Sequence, residues 1–96
     1  MVNFIVRKVT TDDLERYFDL CNAENWGIGF DRIQRMVETC PDGFWCAELA
    51  EIGPVSFCGG YDIGDGNAVL TSYVTDQRFR GKGAGRMVFD RVIRKC

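Results

Sequence analysis

"VTDQRFRGKGAGRMVF", residues 74–89, sets glycines at every second position from Gly81 to Gly85, crowds basic side chains around them, and then turns apolar at helical spacing. A strand leads into the stretch and a helix leaves it. Free backbone N–H groups at a helix start, with the macrodipole behind them, attract anions. Glycines let the chain take positive φ angles and let a bulky ligand approach the main chain. Arg80 and Lys82, joined by Arg78 and Arg86, would add charge-assisted hydrogen bonds. The stretch therefore reads as a site for a phosphorylated ligand. The competing reading is a glycine-rich connection whose basic residues face water.

Charge is distributed to match. Residues 1–77 carry 5 basic and 13 acidic side chains, whereas residues 78–96 carry 7 basic side chains and Asp90 as their one acid. An acidic body with one basic end suggests an anionic ligand at that end and a cationic partner elsewhere. The aromatics are not interleaved with the basic residues, and the body is acidic, which argues against nucleic acid.

Working outward, Ala68–Thr75 reads as the strand before the loop, and Asp65-Gly66 as the tight turn before that strand. Residues 44–51 and 55–63 form a hairpin around a turn at Ile52-Gly53-Pro54. Residues 3–9 read as a short first strand. Thr10 to Asp13 carry helix-start chemistry, hydroxyls first and acids in the first turn. Leu14, Tyr17, Phe18, Leu20 and Cys21 share one face of the helix that follows. A second helix spans Asp31 to Cys40, with Ile33, Met36, Val37 and Cys40 inward. The last helix, from about Gly83, offers Ala84, Met87, Val88, Phe89, Val92, Ile93 and Cys96. The order is strand, two helices, three antiparallel strands, helix: an α+β layer arrangement in one domain over residues 1–96.

The 96 residues contain no histidine, which excludes imidazole-based metal sites and Ser-His-Asp or Cys-His chemistry. Five cysteines without a C-x-x-C pair read as small buried hydrophobes in a reducing compartment. No apolar run approaches the roughly 20 residues that cross a bilayer, so no membrane role is expected. MVNFIVRKV has no signal-peptide pattern; the expected location is the cytoplasm, with the nucleus left open.

Two familiar phosphate loops fail. A P-loop requires G-x-x-x-x-G-K-[ST], and here Lys82 lies between glycines with no Ser or Thr after it. A G-x-G-x-x-G loop starting at Gly81 would place its third glycine on Arg86, and the preceding strands read as hairpins rather than βαβ. The run Arg78-x-x-Gly81-x-Gly83, extended by Ala84 and Gly85 after the strand ending Tyr73-Val74-Thr75, resembles the Q/R-x-x-G-x-G/A motif of the GNAT superfamily of acyl-CoA-dependent N-acyltransferases. The element order is similar to the first seven elements of that fold.

The resemblance implies that backbone amides over Arg80, Gly81, Lys82, Gly83, Ala84, Gly85 and Arg86 cradle the pyrophosphate of an acyl-CoA, most simply acetyl-CoA. It implies that the main chain at Tyr73, Val74 and Thr75 pairs with the pantetheine arm, a strand-edge mode of recognition. The implied activity is acetyl transfer to an amine by direct attack in a ternary complex, with no metal. Asp76 stands where the family often has proline.

The catalytic groups are not identified by the sequence. The strand before the motif holds no acid; Asp62, Glu48 and Glu51 on neighbouring strands, or water ordered by Ser72 or Tyr61, are the candidates for a base. Asp12, Asp13, Glu24 and Asp31 flank the two helices and would draw an acceptor amine. Trp26 and Phe30 would line its slot, or else pack between the helices. The family continues past this helix with further strands and a helix, so residues 1–96 are expected to be an N-terminal portion of the domain. A homodimer is then expected to cover the exposed sheet edge. A non-catalytic CoA-binding or interaction module is the alternative to an enzyme.

Overall fold

The structure is a computed structural model describing residues 3–95, without the side chains of Asp62, Ala68 and Lys95. Its elements are β1 (Ile5–Lys8), a 3-10 turn at Thr11–Asp13, α1 (Leu14–Ala23), α2 (Phe30–Thr39), β2 (Phe44–Leu49), β3 (Gly53–Gly64), β4 (Asn67–Thr75), a 3-10 turn at Gln77–Phe79 and α3 (Ala84–Lys95). The strands form one antiparallel sheet in the order β1-β2-β3-β4, so β4 has a free edge among the described residues.

Side chains leave a strand on alternating faces, and here both faces are covered. On β2, Phe44 and Cys46 pack under α1 and α2 with Leu14, Tyr17, Leu20, Cys21, Ile33 and Val37. Their neighbours Trp45 and Ala47 pack under α3 with Ala84, Val88 and Val92. On β3 the alternation is interrupted. Ala47 pairs with Ser56 and Glu48 with Pro54, which leaves Val55 as the extra residue of a bulge. Val55 can therefore join the α3 core while Phe57, two residues on, joins the α1/α2 core.

The expected element order is the observed one, and so is the turn at Asp65-Gly66, where both residues have positive φ (56° and 76°). The inward face of α3 is narrower than expected. Ala84, Val88 and Val92 are buried at i, i+4, i+8, whereas Met87 and Ile93 are exposed because a single sheet face accommodates only one stripe. Cys96, also assigned to that face, lies outside the described residues.

At the start of the helical layer, Asp13 is buried. Its carboxylate accepts from both Arg7 guanidinium NH2 groups (2.7 and 2.9 Å) and from the Thr10 amide (2.8 Å). Burial pushes its carboxyl up, but these bonds outweigh that and hold it below the ordinary value. Tyr17 is fully buried and stacks on Phe57 (centroids 4.2 Å apart), an arrangement that adds about 0.5–1.5 kcal/mol beyond area burial. Its hydroxyl donates to the Ser72 carbonyl (2.8 Å), tying α1 to β4.

Candidate functional site

Ser72 is where β4 departs from regularity. Phe57 pairs with Val74 and Gly59 with Thr71, so Ser72 and Tyr73 together oppose Cys58, and Ser72 takes a left-handed φ of 51°. The bulge re-aims the end of the strand, and the Tyr17 hydroxyl holds it in place. Beyond it, Val74 is buried in the α1/α2 core while Tyr73 is exposed and stacks on Phe89 of α3 (5.8 Å).

After β4 the chain turns at Asp76, a buried carboxylate with every bond satisfied. It accepts from the Arg78 amide (2.9 Å), from the Arg78 guanidinium (2.9 and 3.2 Å) and from Arg16 of α1 (2.6 Å). The same Arg16 donates to the Pro54 carbonyl (2.9 Å), so one guanidinium joins α1, the start of β3 and the start of the loop. Arg78, followed by its amide and Arg16, holds the Asp76 carboxyl far below the usual carboxylate range. Arg78 was expected among the basic residues available to a phosphate; it is committed to Asp76 instead.

From Gly81 to Arg86 the backbone N–H groups have no acceptor among the described residues. The first return bond of the helix is Met87 N–H to Gly83 carbonyl (3.1 Å). Gly81 and Gly83 have φ of 79° and 95°, the left-handed region that suits glycine, and a Cβ at either would meet no atom. Gly85 is required for closeness: a Cβ there would stand 2.6 Å from the Tyr73 hydroxyl oxygen.

A cavity of about 250 Å³ lies at this loop, lined by Tyr73, Thr75, Phe79, Arg80, Gly81, Gly83, Ala84, Gly85 and Arg86. A second of about 250 Å³ shares Tyr73, Thr75 and Arg80 with it and adds Val74, Glu24 and Trp26. Together they form a groove along the free edge of β4. Every expected cofactor residue lines one or both, except Lys82, which is exposed outside the lining.

Glu24 was expected only as part of an acidic flank. The structure places it in the groove, where its carboxylate accepts from Arg80 (2.6 Å) and Gln77 (3.0 Å). Those two bonds, Gln77's first, hold its carboxyl below the ordinary value. Trp26 is exposed in the same groove, whereas Phe30 packs edge-on against Phe18 (6.0 Å).

Among the described side chains, none of the candidate bases lines the groove. Glu48 is paired with Arg7 (3.1 Å), Glu51 lies in the exposed β2–β3 turn, and Tyr61 lines a separate cavity with Arg32 and Arg35. The Ser72 hydroxyl is bonded to that of Thr71 (3.3 Å). The Asp62 side chain lies outside the described residues. Asp12 and Asp31 are exposed, and none of Asp12, Asp13 or Asp31 lines the groove.

Strand, bulge, glycine loop and helix together define a class of fold, and comparison with known proteins agrees on it. Residues 9–96 match the family model described as Acetyltransferase (GNAT) family, and the chain belongs to that family. It is similar to the crystal structure of Ard1 from Thermoplasma volcanium, with a TM-score of 0.88 at 20% identity over 97% of this chain and 63% of that one. An acetyltransferase of the GNAT family from Staphylococcus aureus superposes with a TM-score of 0.81 at 17% identity, covering 98% of this chain and 66% of that chain. Rv2747 from Mycobacterium tuberculosis, solved in complex with CoA and NLQ, superposes with a TM-score of 0.79 at 17% identity, covering 94% and 55%. The chain thus spans less than two thirds of the length of each. No curated protein matches it in sequence.

Proposed function

We propose that the groove binds an acyl-CoA, most simply acetyl-CoA, and presents its thioester to an amine. The observation that carries this reading is the run of unpaired amides from Gly81 to Arg86, facing a cavity at the N-terminus of α3. A diphosphate would satisfy those donors and meet the positive end of the helix dipole. The free edge at Tyr73, Val74 and Thr75 would pair with the amide-bearing arm of the same ligand.

The acceptor would enter beside Glu24 and Trp26, where a carboxylate and an aromatic face suit a cationic amine. Its nitrogen, once deprotonated, attacks the thioester carbonyl; the C–N bond forms, the C–S bond breaks, and the thiolate takes a proton. Holding both reactants in one groove supplies much of the rate by proximity. Isothermal calorimetry with acetyl-CoA, followed by thiol release in the presence of a panel of primary amines, tests the proposal. Heat of binding together with amine-dependent thiol release supports it.

One observation favours a second reading, a CoA-binding module without turnover: Glu24, the carboxylate that lines the groove, is already paired with Arg80. Binding without thiol release would select that reading. We also propose a cytoplasmic location and self-association along the free edge of β4. Light scattering at micromolar concentration should show a dimer; a strictly monomeric folded species contradicts that part.

A further inference from the structure

Among the described residues, Arg80 is the one basic side chain that lines both halves of the groove. Its partner is Glu24, which lies in the connection between α1 and α2, 56 residues away in the chain. A second donor, the Gln77 amide, binds the other oxygen of the same carboxylate (3.0 Å). Glu24 is thereby fixed across the groove by two groups from the segment that follows β4. A carboxylate held by a guanidinium and an amide presents the interactions that a phosphate oxygen would present.

We infer that Glu24 is an internal stand-in for the donor's phosphate, which sets donor affinity by competing for Arg80 and whose displacement frees the Glu24–Trp26 segment at the acceptor end. This rests on the donor reading above. The physical basis is population: a ligand that needs Arg80 binds only the fraction of molecules in which the Glu24 contact is open, and its apparent affinity falls by that fraction. The contact is partly exposed (side chains 49% and 20% accessible), so its strength lies in the range of surface ion pairs. The displaced carboxylate remains beside Trp26, Tyr73 and Thr75, so an anionic donor and a cationic acceptor would favour each other's binding.

The test is calorimetric titration of CoA into the wild-type chain, Glu24→Gln, Arg80→Ala and the double variant. Glu24→Gln should bind CoA about two- to fivefold more tightly, and this gain should vanish in the Arg80→Ala background. Glu24→Asp, one methylene shorter, should shift affinity in the same direction. Glu15→Gln removes an exposed acid of α1 outside the groove and should leave affinity unchanged, separating the contact from general charge. Unchanged or weaker CoA binding by Glu24→Gln, in a protein that binds CoA, overturns the inference and leaves the donor reading standing. If the wild-type chain does not bind CoA, the donor reading fails first and takes this inference with it.

Discussion

Tyr73 and Gly85 meet across the groove so closely that a Cβ on Gly85 would stand 2.6 Å from the Tyr73 hydroxyl oxygen and 3.0 Å from Thr75 Oγ1. Alanine at 85 would favour the helix by up to about 1 kcal/mol but must push the Tyr73 ring from its stack on Phe89. Because that ring is half-exposed and can move, the change in Tm of Gly85→Ala should be small. CoA affinity should fall, and Tyr73→Phe, which removes the clashing oxygen, should restore part of it. Paired melts and titrations of the single and double variants check this.

Gly83 fails for a different reason. Its φ of 95° strains any L side chain, but nothing lies within 4 Å of a Cβ. Gly83→Val should cost about 1–2 kcal/mol, a fall in Tm of about 4–16 °C. The fold should remain, and the rise in Tm on adding CoA should disappear. Thermal melts with and without CoA measure both effects.

Asp76 anchors the entrance to the loop. Asp76→Asn weakens bonds to Arg16 and Arg78 and should destabilise by about 1.5–3 kcal/mol. The sign with pH follows from its depressed folded value: in acid the unfolded chain binds the proton first. Its contribution is therefore complete above about pH 5 and is lost as pH falls from the ordinary 3.8 towards the folded value. Urea melts from pH 7 to pH 3 should show a steeper acid loss in the wild-type chain than in Asp76→Asn.

Burial pushes the Cys46 thiol up to about 12 and the Cys21 thiol up to about 11. With Cys58 also buried, these thiols should resist alkylation in the folded state, while half-buried Cys40 reacts. Timed iodoacetamide labelling with peptide mass mapping checks the order. Fast modification of Cys46 in the native state would contradict the packing of β2 under α1.

Much of the fold was legible because its signals are local. The helix faces of Leu14–Cys21 and Ile33–Val37, the Asp65-Gly66 turn and the Gly81–Gly85 spacing each act within a few residues. What was not legible depends on register and on distance along the chain. The bulges at Val55 and Ser72 follow from how neighbouring strands align, and no short pattern marks them. The roles of Asp76 and Glu24 depend on Arg16 and Arg80, which lie 60 and 56 residues from them. In the sequence Asp76 is marked only by standing where the family often has proline, yet it clamps the loop to α1. Glu24 looked like one acid among several on a helical flank, yet it alone of that set reaches the groove.

Amide-resolved NMR during titration with CoA addresses the central claim most directly. The account predicts that the largest shifts fall on the N–H groups of residues 81–86 and, beside them, of Tyr73, Val74 and Thr75. Saturation with those amides unmoved, or with shifts centred on the Arg32–Arg35 cavity instead, would contradict it.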